Sequence, residues 1–290
     1  MTERTDHQNH GLEGTVARAT AGDRDALEAV ILAVQSDVYG LALRFLWHPQ
    51  DAEDATQEIL IRVITGLGNF RGDSVFRTWV YRIACNKLLT LRKQRAERCS
   101  MSFEEFADDL ESERSGEISL TTPDIDDVLL LEEVKIGCTL ALLLCLDREH
   151  RLAYILGEIM ELGHREAAQV LEISPASFRK RLSRSREKIT AFMMARCGLL
   201  NADNSCRCRR RLPTAINLGR VDPGRLLFAS SHQIARQFPN VLSRIRQLED
   251  TRRAAALYRS HPQPEAAVSF VSWIRAAIDD CSDIGKNSIL

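Results

Sequence analysis

Long runs in which apolar and polar residues alternate with a period of two are missing from this chain of 290 residues. A half-buried sheet has little pattern to form on, so an all-α fold is expected. Glycine and proline are few, 15 and 8 residues, and they fall between helical stretches rather than between strands. Aromatics make up only 6% of the chain. The longest apolar run, Ile136 to Leu146, is far short of the roughly 20 residues of a bilayer span, and the opening residues are polar and carry no signal peptide. A cytoplasmic protein without membrane insertion is therefore expected. Its eight cysteines are then expected as reduced thiols or metal ligands rather than a disulfide framework. There is no phosphate loop, nucleophile elbow, catalytic carboxylate pair or dinucleotide fingerprint, and the histidines are scattered, so an enzyme is not expected.

Net charge is also nearly absent, at −1, but the average hides segregation. Residues 71–98 are basic, with Arg71, Arg77, Arg82, Lys87, Arg92, Lys93, Arg95 and Arg98 set against Asp73 and Glu97. Residues 104–127 are acidic, opposed by Arg114 alone, and residues 179–211 are basic again. Two basic blocks flanking an acidic tether could each hold a phosphate backbone. The boundaries that follow are a disordered tail over 1–13, a helical domain over 14–98, and an acidic, flexible tether over 99–126. A second helical domain over 127–196 is followed by a Cys/Arg-rich segment over 197–222. A helical extension over 223–290 is broken near Pro239 and at His261–Pro264.

Residues 163–189, GHREAAQVLEISPASFRKRLSRSREKI, read as a helix, a short turn and an arginine-rich second helix. Ser174 suits the N-cap, and Pro175 suits the first helical position, where no N–H is needed. Phe178, Leu182, Ser185 and Ile189 share one face. Ala176, Ser177, Lys180, Ser183, Arg184 and Glu187 share the other, with Arg179 at its edge. A helix of this kind fits a DNA major groove. The alternative is an ordinary amphipathic surface helix.

In the first domain, DAEDATQEIL begins at Asp51, which can cap a helix whose first turn is acidic. Ala52, Ala55, Ile59, Val63 and Leu67 keep one face apolar; Glu53, Asp54, Gln57, Glu58 and Arg62 are expected on exposed faces. The face is either merely solvated or a docking surface for a basic partner. Aromatics and arginines then interleave from Phe70 to Arg82, a mixture that suits single-stranded DNA. Phe76, Val80 and Ile83 read as core; Trp79 could serve either purpose.

Four phrases, AGDRDALEAVILAVQSDVYGLALRFL, DAEDATQEILIRV, FRGDSVFRTWVYRIACNKLL and the helix-turn-helix, occur in order with an acidic tether between the third and the fourth. Together they resemble the two domains of bacterial extracytoplasmic-function sigma factors, over a little more than half the chain. The resemblance implies a subunit that binds core RNA polymerase and directs initiation at −10 and −35 promoter elements. Asp51, Asp54, Gln57 and Glu58 would face the clamp helices of the polymerase. The loop with Asn69, Phe70, Arg71, Asp73 and Ser74 would capture an unstacked −10 base. Arg77, Trp79, Arg82, Asn86 and Lys87 would hold the melted strand. Ser177, Arg179, Lys180, Arg181 and Arg184 would read or clamp the −35 duplex. An anti-sigma factor is a further implied partner. The alternative, a helix-turn-helix regulator that never joins polymerase, leaves the acidic helix and the Phe/Arg/Trp segment unexplained.

The chain departs from the family pattern at Glu172, where glycine is usual, at Phe178 and at Cys85. Beyond residue 196 it also carries an extension. There Cys197, Cys206 and Cys208 stand among arginines, which should lower their thiol pKa and favour a metal ion or oxidation. A fourth ligand would have to come from Cys281, His232 or His261. Thiols that merely sit beside a basic patch are the alternative. Cys138 and Cys145 read as core. The extension is expected to tune activity in cis.

Overall fold

The computed structural model describes residues 12–91, 101–111, 127–266, 269–273 and 275. Among these residues there is no strand, only one isolated bridge between Cys197 and Cys206. The chain divides into two compact units, each taken in turn. The first holds the described parts of 1–43, 49–90 and 263–290; the second holds 44–48 and the described parts of 91–262.

The first unit begins with helix α1 over 12–20, so the expected tail ends sooner than residue 13; residues 1–11 lie outside the described residues. Asp23 caps α2 (Arg24–Leu46), its carboxylate accepting from the Ala26 N–H at 3.0 Å. By length and composition α2 could cross a bilayer. Many of its apolar residues, Val30, Ile31, Val34 and Leu41 among them, are packed inside protein, while Leu32 is exposed. Helices α3 (Pro49–Gly66) and α4 (Phe76–Thr90) lie against each other and enclose Ile59, Leu60, Val63, Phe76, Val80 and Leu88. Cys85 is fully enclosed there and burial pushes its thiol up. The chain's far end also belongs to this unit: Phe270 meets Tyr39 at 6.1 Å and Arg275 pairs with Glu28 at 2.6 Å. The division between the units falls near residue 262, at the break read from His261–Pro264.

In the second unit the acidic stretch is not wholly a tether. Residues 103–111 form helix α5 (Phe103–Glu111), opened by a reciprocal cap: Ser102 N–H donates to Glu105, and Glu105 N–H donates to Ser102 Oγ. Phe103 and Phe106 pack on the Phe192 ring, each 5.6 Å away. Residues 112–126 of the expected tether lie outside the described residues. Helix α6 (Asp127–Leu143) is followed by α7 (Arg148–Tyr154), which runs on into a π-turn over Ile155–Ile159. Gly157 belongs there by necessity, because a Cβ would meet Leu182 at 2.8 Å. Then come α8 (His164–Val170) and α9 (Pro175–Arg196), which ends where the sequence placed the domain's end.

The extension adds α10 (Cys208–Asn217), α11 (His232–Arg246) and α12 (Asp250–Arg259). Pro239 lies inside α11 instead of breaking it. The break at His261–Pro264 is present. Helix α10 packs on α6, and α12 packs on α9.

Three buried polar groups of α6 and α7 organise this packing. Glu133, 1% exposed, accepts the backbone N–H groups of Leu227, Phe228 and Ala229, each at 2.8 Å. Lys135 pairs with Glu132 at 2.6 Å and lies 3.4 Å above the Phe238 ring. Arg151, 3% exposed, donates to the carbonyls of Leu143, Phe45, Leu144 and Leu146. Nearby, His261 Nε2 lies 3.2 Å from Thr139 Oγ1, and the Tyr258 hydroxyl donates to the Thr139 carbonyl at 2.7 Å.

His261 gives the unit a pH dependence. Burial, then the like charges of Lys135 and Arg44, holds its imidazole well below 6.5. Below pH 6.5 the unfolded chain binds a proton that the native chain refuses. Stability should therefore fall as pH drops from 6.5 toward the depressed native value. His261→Gln should flatten the fall by up to about 1.4 kcal/mol per pH unit. Urea denaturation at pH 7 and pH 5 checks this; parallel curves for the two proteins would refute it.

Candidate nucleic-acid interface

The α9 surface follows from its sequence period. Ser174 Oγ accepts from the Ser177 N–H at 3.1 Å, and Pro175 occupies the first turn. Phe178, Leu182, Ser185 and Ile189 are all buried, and Ser185 donates to the His150 carbonyl at 3.0 Å. Ala176, Ser177, Arg179, Lys180, Ser183, Arg184 and Glu187 are all exposed. Arg181 sits on the flank, 2.7 Å from Glu149, so it faces the groove less directly than its neighbours. A fixed apolar back and an uncovered basic front are what a groove-reading helix requires.

The turn before α9 is strained at the position where glycine is usual. Glu172 has φ +54°, a left-handed conformation that costs a side-chain-bearing residue about 1 kcal/mol. Glu172→Gly should recover roughly that amount in a thermal unfolding assay.

In the first unit, the loop before α4 carries Asn69, Arg71 and Asp73 exposed, and Phe70 and Ser74 half-buried. Gly72 takes φ +75° within it. Phe70, Phe76 and Trp79 form an aromatic cluster with centroids 5.3 to 5.6 Å apart. Trp79 thus has a packing role while staying half-exposed. Arg77 is held by Asp37 and by the Ala33 carbonyl, and Lys87 by Glu58, so both carry structural partners. Arg82 is half-buried and Asn86 exposed.

On α3, Asp54 and Glu58 are exposed while Asp51 and Gln57 are half-buried. Glu53, expected outside, is only 7% exposed because it shares the inner side with Ala52 and Thr56. Ile83, expected as core, is half-buried.

The cysteine segment differs from expectation. The Cys197 and Cys206 backbones bridge, but burial, ahead of the nearby arginines, raises the thiols of Cys197, Cys206 and Cys208, the last to about 12. Among the described residues, no group of three or more His, Cys, Asp or Glu side chains is arranged to hold a metal ion. Cys281 lies outside the described residues, His232 is exposed, and His261 is turned to Thr139. Cys138 and Cys145 are half-buried, and burial raises both.

The arginines of this segment have a different task, which the sequence did not reveal. Asp109 of α5 accepts from Arg211 at 2.8 Å and from Arg220 at 2.6 and 2.9 Å. Arg211 also donates to the Asp109 carbonyl at 2.8 Å. Burial would raise the Asp109 carboxyl, but Arg220 and then Arg211 outweigh it and hold it below the usual range. Arg196 pairs with Glu111 at the end of the same helix. The acidic helix is thereby clasped to the extension.

Comparison with known proteins agrees with this anatomy. Residues 30–98 match the family model for Sigma-70 region 2, and residues 136–189 match that for Sigma-70, region 4. The RNA polymerase sigma-H factor of Pseudomonas aeruginosa is 32% identical over 174 residues, 60% of this chain and 89% of that protein. The ECF RNA polymerase sigma-E factor of Escherichia coli is 29% identical over 174 residues, 60% of this chain and 90% of that one. A solved chain from the structure of CnrH in complex with the cytosolic domain of CnrY is similar at a TM-score of 0.45 and 24% identity, covering 66% of this chain and 97% of that chain.

Proposed function

The chain belongs to the extracytoplasmic-function sigma factors of the sigma-70 family, which bind core RNA polymerase and direct promoter recognition, and on that premise we propose how its residues divide the work. The exposed basic face of α9 reads the −35 duplex, and this uncovered face on a buried apolar back is the observation that carries the reading. Arg184, Lys180, Arg179 and Ser177 contact it directly, while Arg181 acts from the flank. Asn69 to Val75 take the unstacked −10 base. Trp79, Arg82 and Asn86 lie beside the melted strand, and Arg77 and Lys87 hold α4 in place for them. The acids of α3, chiefly Asp54 and Glu58, dock on polymerase. The work is binding rather than bond making, and it is cytoplasmic. An anti-sigma protein would compete for these same surfaces.

Arg184→Ala should cost about 1–3 kcal/mol of discrimination at one −35 base pair, a loss of roughly 5- to 150-fold. Run-off transcription with core polymerase on promoters varied at each −35 position checks this. Unchanged selectivity would remove Arg184 from the groove.

The extension restrains the factor in cis. The support for this is the Asp109–Arg211–Arg220 clasp, which binds the segment between the two promoter-reading domains to the extension. The double change Arg211→Ala, Arg220→Ala should free α5 and raise transcription, and it should speed amide exchange over residues 103–111. Equal exchange in both proteins would sink this reading. Among the described residues no ligand set for a metal ion is arranged at Cys197, Cys206 and Cys208, and no metal-dependent step is proposed.

A further inference from the structure

A cavity of about 290 Å³ opens within the second unit, where α5, α6 and α10 meet. Its wall is mostly apolar and includes Phe106, Val134, Ala141, Leu144 and Val221. Polar groups also reach the wall, and each already bonds within the protein. Asp109 is paired with Arg211 and Arg220, which line the cavity beside it. Glu133 accepts three backbone N–H groups. Trp47 Nε1 donates to the Gly137 carbonyl at 2.9 Å. Cys138 contributes a thiol that burial keeps neutral. A charged ligand would meet wall charges already paired with one another and would lose its hydration there. An apolar ligand would lose nothing and would fill a void that water occupies poorly.

We propose that this cavity is a binding site for an uncharged, apolar small molecule, and that its occupant locks α5 onto the extension. The lock follows from the lining. Phe106, Asp109 and Leu110 come from α5, Val134, Cys138 and Ala141 from α6, and Ala215 from α10. The three walls coexist only while α5 is docked. A ligand held by all of them therefore binds the docked form and disfavours the released one, by about 100-fold at a free concentration of 100 Kd. The site stands whether or not the extension restrains transcription; only the regulatory consequence rests on that reading.

The test uses the full chain and two fluorescent probes of the same ring skeleton. N-Phenyl-1-naphthylamine is neutral, and 8-anilinonaphthalene-1-sulfonate carries a negative charge. The neutral probe should bind saturably at one site per chain. Ala141→Leu on α6 and Ala215→Leu on α10 each push a larger side chain into the cavity and should each weaken that binding at least tenfold, with circular dichroism unchanged. Two variants on two helices keep the test open should one fail to fold. No saturable binding, or full affinity in the folded variants, would overturn the site. Tighter binding of the sulfonate would overturn the apolar assignment. Amide exchange over residues 103–111 should slow on addition of the neutral probe; binding without that slowing would overturn the lock. The Arg211→Ala, Arg220→Ala protein separates this result from the clasp itself: faster exchange there upholds the clasp whatever the probes do.

Discussion

Arg151→Leu should lower the stability of the second unit by about 3–5 kcal/mol, and its melting temperature by on the order of 10 °C. Arg151 is a buried cation whose partners are three carbonyl oxygens around the end of α6 and the start of α7, those of Leu143, Leu144 and Leu146, and a fourth, that of Phe45 near the end of α2. Helix C-termini leave such carbonyls without intrahelical donors, and one planar guanidinium with five N–H groups satisfies several together. The Phe45 ring lies 4.9 Å from its central carbon and adds a cation–π contact. A leucine keeps the volume but donates nothing, so the oxygens stay buried and unpaired at about 1–3 kcal/mol each, less whatever water recovers. Arg148→Leu is the control. Arg148 is half-buried and bonds the Leu91 carbonyl at 2.6 Å, and its loss should cost about 1 kcal/mol. Differential scanning calorimetry of the three proteins decides; equal melting of Arg151→Leu and the parent would show that the staple contributes nothing.

Glu133→Ala should release the segment around Leu227–Ala229 and destabilise the docked extension by on the order of 4 kcal/mol. Three N–H donors converge on this one carboxylate, and charge-assisted bonds of this kind are about twice as strong as neutral ones. Glu133→Gln should fall between the two, because an amide offers one acceptor oxygen and turns an NH2 group toward donors. Limited proteolysis reads the difference, with cleavage near residue 228 fastest in the alanine variant. If all three proteins are cut at the same rate, the carboxylate does not fasten the extension. Helices α8 and α9 should stay intact, since the bonds lost join this loop to α6.

The readable parts of the sequence were those in which one helix carries its own pattern. The α9 face, its serine cap and its proline were legible because a period of 3.6 and a terminal hydrogen bond are local properties. The departure at Glu172 was legible for the same reason, but its outcome, a left-handed residue, was not. Helix α5 was not, because nine residues with five acids look like solvated chain. The signal was present in two forms: the Ser102–Glu105 capping pair and the spacing of Phe103, Phe106 and Leu110. Glu133 was missed because a lone carboxylate in a helix is ordinarily solvated, and only a loop 94 to 96 residues away gives it a reason to be buried. The thiols misled because neighbouring arginines are visible in sequence, whereas the burial that outweighs them is not. Arg211 closes a basic block that read as able to hold a phosphate backbone, and Arg220 was not singled out, yet the partner of both is an aspartate of the same chain.

The clasp on Asp109 also ties the hold on α5 to acidity. Against burial, two guanidinium groups keep the Asp109 carboxyl below the usual range. The carboxylate therefore stays charged in media acid enough to protonate an ordinary aspartate. Its share of the stability is present above the unfolded-chain value and is lost only as pH falls through the lowered native one. Two arginines and one aspartate thereby act as a latch that mild acid does not open.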